Sequence, residues 1–193
     1  PRLRLPGPQL ERASGFLVPS IRSSSQLGTG LKMPYFIKLG DHRDLTLTPY
    51  LFSVTRTLEL RYRQAFRRGR IIFNGAITRD DQQPGSIRGY LFGEGDFNLN
   101  RDYKLDFDIE TTTDRAYPNE YGYFFQDRLE SQITVSRAKR DQLLRGSLYN
   151  FESLRDGDIN DNLPTVVIDG EYERRFFPKA LGGEFRLRLE AHA

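Results

Sequence analysis

The chain has 193 residues, enough for one domain of ordinary size, and only 37% of them are hydrophobic. A membrane-spanning helix needs about 20 nearly continuous apolar residues, and the apolar runs here are only a few residues long, so helical membrane spans are excluded. The absence of cysteine excludes disulfides, thiolate metal sites and a cysteine nucleophile, while the net charge of +3 is spread in mixed sign and not gathered into a nucleic-acid-binding patch.

Residues 1–13 read as a linker or the last edge of a preceding domain, because Pro1, Pro6 and Pro8 cannot donate to a β-ladder. Pro1 opens into a mixed polar segment without the apolar stretch of a signal peptide, the expectation for a mature, trimmed or fragmentary chain. From residue 14 onward the pattern alternates with period two, the period of a strand. Strands are expected near 14–24, 28–40 and 43–54, and each contains a proline: Pro19, Pro34 and Pro49. Two explanations stand for them: placement at an edge or bulge, or a seam that is weak and can open.

The next spans are 57–68, 70–79 and 86–99. In the first, Leu58, Leu60, Tyr62 and Phe66 alternate with Glu59, Arg61, Arg63 and Arg67. In the third, Gly89, Gly93 and Gly95 lack the Lys-Ser/Thr of a phosphate loop and read as a bulge, a bend or a close backbone approach. Span 102–113 alternates Tyr103, Leu105, Phe107 and Ile109 with Lys104, Asp106, Asp108 and Glu110. A long polar loop, 114–126, leads to strands at 127–138 and 141–152. After a second long loop come 164–176 and 182–193, the last alternating Phe185, Leu187, Leu189 and Ala191 with Glu184, Arg186, Arg188 and Glu190.

The expected fold is therefore all-β, an antiparallel up-and-down meander of about eleven strands. Many are about ten to thirteen residues long, where soluble strands average about five or six and tilted transmembrane strands need about nine to eleven. From the fourth strand on, short turns alternate with long loops, the rhythm of a large transmembrane β-barrel.

Little in the chain carries catalytic chemistry. His42 lies in a turn and His192 at a strand end, and no Gly-x-Ser-x-Gly elbow accompanies them. The run 156–162 resembles a calcium loop, but Asp161 stands where the glycine belongs and the closing glutamate is missing. The expectation is no enzyme, no metal and no cofactor. Arg61, Arg63, Asp106, Asp108, Arg186 and Arg188 project opposite the apolar stripe. They line either the wet face of a soluble sheet or the lumen of a barrel whose other face meets lipid; strand length, loop rhythm and aromatic content favour the lumen. Tyr50, Phe52, Phe176 and Phe177 suit an aromatic girdle at a membrane interface.

Three blocks carry a resemblance to a known family: Arg12-Ala13-Ser14-Gly15-Phe16-Leu17-Val18-Pro19, then Met33-Pro34-Tyr35-Phe36, then Asp44-Leu45-Thr46-Leu47-Thr48-Pro49. With Tyr62-Arg63 and Asp127-Arg128-Leu129 in the same register, the chain resembles the outer-membrane lipopolysaccharide-assembly proteins, the LptD (organic-solvent-tolerance) family, from about residue 5 to its end. The resemblance implies a periplasmic jelly-roll ending within 1–13 and the N-terminal part of a very large outer-membrane barrel over 14–193. It implies lipopolysaccharide as cargo, a lipoprotein plug and a periplasmic transport bridge as partners, and surrounding outer-membrane lipids. It also implies that Pro19 and Pro34 weaken a lateral gate. The rival readings are a soluble β-sandwich or small barrel that binds a ligand, a passive porin, and a barrel hydrolase.

Overall fold

The period-two alternation folds into a sheet in which every strand offers one face to charge and the other to hydrophobic side chains. The computed structural model describes residues 13–24, 28–52, 55–80, 85–155, 157–158, 166–180 and 182–193. The strands are β1 (Gly15–Phe16), β2 (Ser20–Ser24), β3 (Gly28–Lys32), β4 (Tyr35–Gly40), β5 (Arg43–Phe52), β6 (Thr55–Phe66), β7 (Gly69–Asp80), β8 (Arg88–Asn98), β9 (Tyr103–Thr112), β10 (Arg128–Lys139), β11 (Gln142–Ser153), β12 (Val166–Phe176) and β13 (Phe185–His192). One helical turn, α1 (Tyr117–Glu120), lies between β9 and β10.

The strands form one antiparallel sheet in the order β1-β4-β5-β6-β7-β8-β9-β10-β11-β12-β13, with β3 pairing both β2 and β5. Each of the eleven expected spans coincides with a strand or a pair of strands, and the thirteen arise because 14–24 and 28–40 are each cut in two at their proline. Strands β5 to β12 run 10 to 12 residues.

The cut has a local cause. In a hydrogen-bonded antiparallel pair the two residues exchange both N–H···O bonds. The Leu17 amide donates to the Pro34 carbonyl at 2.8 Å, and the Met33 amide donates to the Pro49 carbonyl at 3.2 Å. Neither proline can return the bond. Between the Leu17–Pro34 bond and the Ser20–Lys32 pair the first span has two residues, Val18 and Pro19, against the single Met33, the count of a β-bulge. The ladder is thus weakened at one level across three neighbouring spans, although Pro49 itself stays within β5, opposite Leu58.

Pairing register assigns the two faces. Leu58, Ile77, Leu91, Ile109, Ile133, Leu148, Ile168 and Leu189 share one face and are all exposed, Ile77 by 53% and Leu189 by 56%. No second sheet packs on this face among the described residues, so it lacks the interlocked inner layer of a β-sandwich. Apart from Leu129 on the apolar side, the most deeply buried side chains gather on the other, polar face, around Tyr50, Tyr117 and Tyr121.

The glycines of β8 mark close approach, not a bulge, because the ladders through 88–98 run unbroken. A Cβ on Gly89 would stand 2.3 Å from the Ala76 carbonyl oxygen, whereas one on Gly146 in β11 would meet nothing within 4 Å. Gly89→Ala is expected to cost about 1–3 kcal/mol because backbone must move, and Gly146→Ala to be neutral or slightly stabilising. The midpoint of urea unfolding for the folded full-length protein checks both.

Candidate functional site

The register that separates the faces also gathers the six charged residues expected to line one side. Arg63 opposes Asp44 and Ile72, and the same row continues through Glu94, Asp108 and Gln132. Arg61 lies one row over with Asn74, Asp106 shares a row with Asp96 and Arg70, and Arg186 and Arg188 oppose Arg175 and Glu173. All six stand on the polar face. Arg63 grips buried Asp44 with two bonds of 2.9 and 3.0 Å. Arg188 pairs with Glu171 at 3.0 Å and Glu190 at 2.6 Å, and Arg186 lies 3.6 Å from Glu173. Opposite charges on neighbouring strands offset one another at Arg63–Asp44 and Arg188–Glu171, while Glu94 and Asp108, and Asp96 and Asp106, stand as like charges directly opposite.

The segment between β9 and β10, residues 113–127, does not behave as the polar outward loop that its composition suggests. It folds back over the polar face as a strap. Its anchor is Arg88, whose side chain is 2% exposed. The Arg88 Nε donates to Asp114 Oδ2 at 2.8 Å, and its Nη2 donates to Asp114 Oδ1 at 2.9 Å and to Glu120 Oε2 at 2.7 Å. A guanidinium taken out of water needs its donors satisfied and its charge matched, and the two carboxylates do both. The rings of Tyr117 and Tyr121 lie 5.3 and 5.9 Å from the guanidinium carbon.

Four hydroxyls, those of Thr57, Thr78, Tyr117 and Tyr123, tie the strap to the sheet. Thr57 and Thr78, a cross-strand pair, share a 2.8 Å bond, and Thr78 bonds the Tyr117 hydroxyl at 2.7 Å. Tyr123 donates to Glu59 Oε1 at 3.1 Å, and Glu59 also holds the Lys32 ammonium. Burial pushes the Tyr123 phenol well above its usual range, with the Tyr117 hydroxyl and the Glu59 carboxylate adding to the shift. Tyr50, expected in an interfacial girdle, is corrected here: it is 5% exposed, on the polar face, beneath Lys32 at 4.5 Å. The side chain of Phe52 lies outside the described residues, while Phe176 and Phe177 are exposed as a girdle requires.

Beside the strap a recess of about 850 Å³ opens on the same face, lined by Asp108, Glu110, Asp127, Glu130, Arg128 and Arg155 among others. Four of these six, Asp108, Glu110, Asp127 and Glu130, are acidic. Most of the calcium-like run 156–162 lies outside the described residues; Asp158 accepts a 2.6 Å bond from Ser153. Among the described residues no three His, Cys, Asp or Glu side chains are grouped to hold a metal. His42 sits in the β4–β5 turn, and His192 pairs with Asp169 at 2.7 Å. Pro19 stands between β1 and β2, and Pro34 between β3 and β4, so the two expected gate residues flank one level of the sheet.

Strands of this length, charged on one face and exposed and apolar on the other, in an up-and-down order, define the class as an all-β antiparallel meander of the kind from which membrane β-barrels are built. The comparisons with known proteins make the class particular. The family model for LPS transport system D matches residues 86–193, more than half of the chain. This chain belongs to that family, LptD.

It is 30% identical over 180 residues to the LPS-assembly protein LptD of Nitrosococcus oceani, covering 86% of this chain and 24% of that protein. It is 28% identical over 170 residues to the protein of the same name from Ralstonia nicotianae, covering 85% and 20%, and 27% identical over 190 residues to that of Cupriavidus necator, covering 94% and 22%. The chain therefore spans about a quarter or less of the length of these relatives. The names are those of transport and assembly proteins, in line with a chain that is not an enzyme.

The strap anchor has a pH dependence with a defined sign. Burial alone would raise the Asp114 carboxyl, but the Arg88 hydrogen bond and charge, with amide bonds from Tyr117 and Ala116, outweigh it and hold the group below its usual 3.8. A depressed carboxylate contributes stability above its unfolded value and loses it as pH falls through the folded one. The strap should therefore stay closed from neutral pH down to about the ordinary carboxylate range and open only in stronger acid. Asp114→Asn should open it at pH 7, with cleavage inside 113–127 by added protease about tenfold faster than in the parent.

Proposed function

We propose that this chain is part of the wall of an outer-membrane barrel that delivers lipopolysaccharide to the cell surface, with residues 1–13 leaving a periplasmic jelly-roll and 14–193 beginning the barrel. The polar face, with Arg61, Arg63, Asp106, Asp108, Arg186 and Arg188, lines the lumen and screens the sugars and phosphates of the cargo. The exposed apolar face meets the outer-membrane lipids. Family membership supports this reading, and the names of the relatives supply the cargo. An outer-membrane lipoprotein plug and a periplasmic transport bridge complete the assembly.

The first two spans form one lip of a lateral gate. The single observation that carries this part is the pair of one-way hydrogen bonds at Pro34 and Pro49, beside the bulge at Pro19. In hydrocarbon an unreturned backbone bond has no water to replace it and costs several kcal/mol. A seam built from such bonds opens more readily than the unbroken ladders of β6 to β12.

Pro34→Ala places an amide opposite the Leu17 carbonyl. A restored bond worth about 1.4 kcal/mol would lower the open population about tenfold. In the full-length protein, Pro34→Ala and Pro19→Ala are expected to slow delivery of lipopolysaccharide to the surface while barrel assembly, judged by heat-modified mobility, is retained. Delivery at the parental rate would count against the gate.

The assignment of faces has its own test. Ile168→Arg puts a charge among apolar neighbours and should destabilise the folded barrel in lipid by about 2–4 kcal/mol if the residue lies near mid-membrane. Gln132→Arg on the polar face should cost far less. Equal costs in denaturant unfolding would reject the assignment.

A further inference from the structure

The hairpin β2–β3 is held to the sheet by very little. Among the described residues β2 pairs only with β3, and β3 meets β5 at three positions, Gly30–Phe52, Leu31–Leu51 and Lys32–Tyr50. The third lies one residue from the one-way bond between Met33 and Pro49. Beyond this short ladder, the side chain of Lys32 makes the deepest attachment.

The Lys32 ammonium crosses β5 to pair with Glu59 on β6, and the two side chains are 13% and 19% exposed. It lies 4.5 Å from the centre of the Tyr50 ring and 6.0 Å from that of Tyr123. Tyr123 belongs to the strap, and its hydroxyl bonds the same Glu59 oxygen. Behind Tyr123, the rings of Tyr117 and Tyr121 stand 5.8 and 6.2 Å away, and Arg88 pins that end of the strap through Asp114 and Glu120.

The geometry points to a latch: the strap 113–127 holds the proline-broken hairpin β2–β3 in place by covering the Lys32–Glu59 pair. An ion pair in water contributes little, because solvent screens it and both side chains lose entropy in making it. The same pair sealed between Tyr50 below and Tyr123 above works at a lower effective dielectric and is correspondingly stronger. Lifting the strap wets the pair, weakens it and loosens the hairpin. Strap and hairpin are then two ends of one packed chain of side chains, the kind of contiguous contact that transmits coupling. For its consequence in transport this latch rests on the gate reading above; the coupling itself does not.

Backbone amide exchange of the full-length protein in lipid nanodiscs tests it. Lys32→Met should raise exchange in 28–32 about tenfold. Arg88→Met, at a residue whose described bonds go to the strap and not to β2 or β3, should raise exchange in the strap and also in 28–32, while 128–139 stays as protected as in the parent. The double variant should be no looser at 28–32 than the single ones, as expected for residues acting through one path. If Arg88→Met fails to fold, Glu120→Gln removes one clamp partner and should shift both segments in the same direction by less. A freed strap with 28–32 unchanged overturns the latch. Lipopolysaccharide delivery measured on the same variants separates the two proposals. Coupled exchange with unaltered delivery keeps the latch and rejects the gate. Faster delivery by Lys32→Met with uncoupled exchange in Arg88→Met does the reverse.

Discussion

A backbone amide facing hydrocarbon has no water to bond, so each strand of a membrane wall must find all its partners on its neighbours. On the reading proposed above, the rest of this structure follows from that constraint. It explains why β6 to β12 are long, gapless and antiparallel, with nearly every residue paired. It also makes the three prolines informative. A proline in such a ladder withdraws a donor that nothing else can replace, and three of them are set at neighbouring positions of the first three spans. The cost is confined to one seam, and β1 to β4 are accordingly short.

The same constraint moves the packing to an unusual side. In a soluble sheet the apolar face makes the core, and the charged face is wet. Here the apolar face stays largely exposed, Leu129 excepted, and most of the deeply buried groups are a guanidinium, tyrosines and threonines on the charged face. Polar groups can be buried there because each brings a partner. Arg88 has two carboxylates, Thr78 has Thr57 and Tyr117, and Glu59 has Lys32 and Tyr123. The result is a polar core beneath a strap, placed beside the seam and joined to it through one lysine.

Much of the wall was legible from residue order. Alternation in 57–67, 103–110 and 184–191 gave the strands, the two faces and the grouping of Arg61, Arg63, Asp106, Asp108, Arg186 and Arg188, because a period of two needs no knowledge of what lies across the strand. The strap was missed. Residues 114–126 carry polar and turn-forming side chains, and a polar loop has no periodicity to betray where it folds. A signal is present in the sequence: Tyr117, Tyr121 and Tyr123 crowd a segment that a solvated loop does not need, with Asp114 just before its helical turn and Glu120 at the turn's end. Their partner, Arg88, is 26 residues from Asp114 in sequence, and Tyr123 is 64 from Glu59. Tyr50 was misplaced for the same reason, since an aromatic near a strand end serves a membrane girdle or a polar core equally well until its cover is known.

Residue order by itself determined an antiparallel meander with two unlike faces, its proline-marked weak level and, through short blocks such as Ser14 to Pro19, the family. These are local properties, written in alternation, length and single residues that cannot donate a bond. Only the tertiary structure decided which side is covered, that Arg88 anchors the cover, and that Lys32 reaches across β5 to share Glu59 with Tyr123. Those contacts depend on register summed over several strands and on a loop folding back on itself, and neither is encoded in any short stretch of the chain.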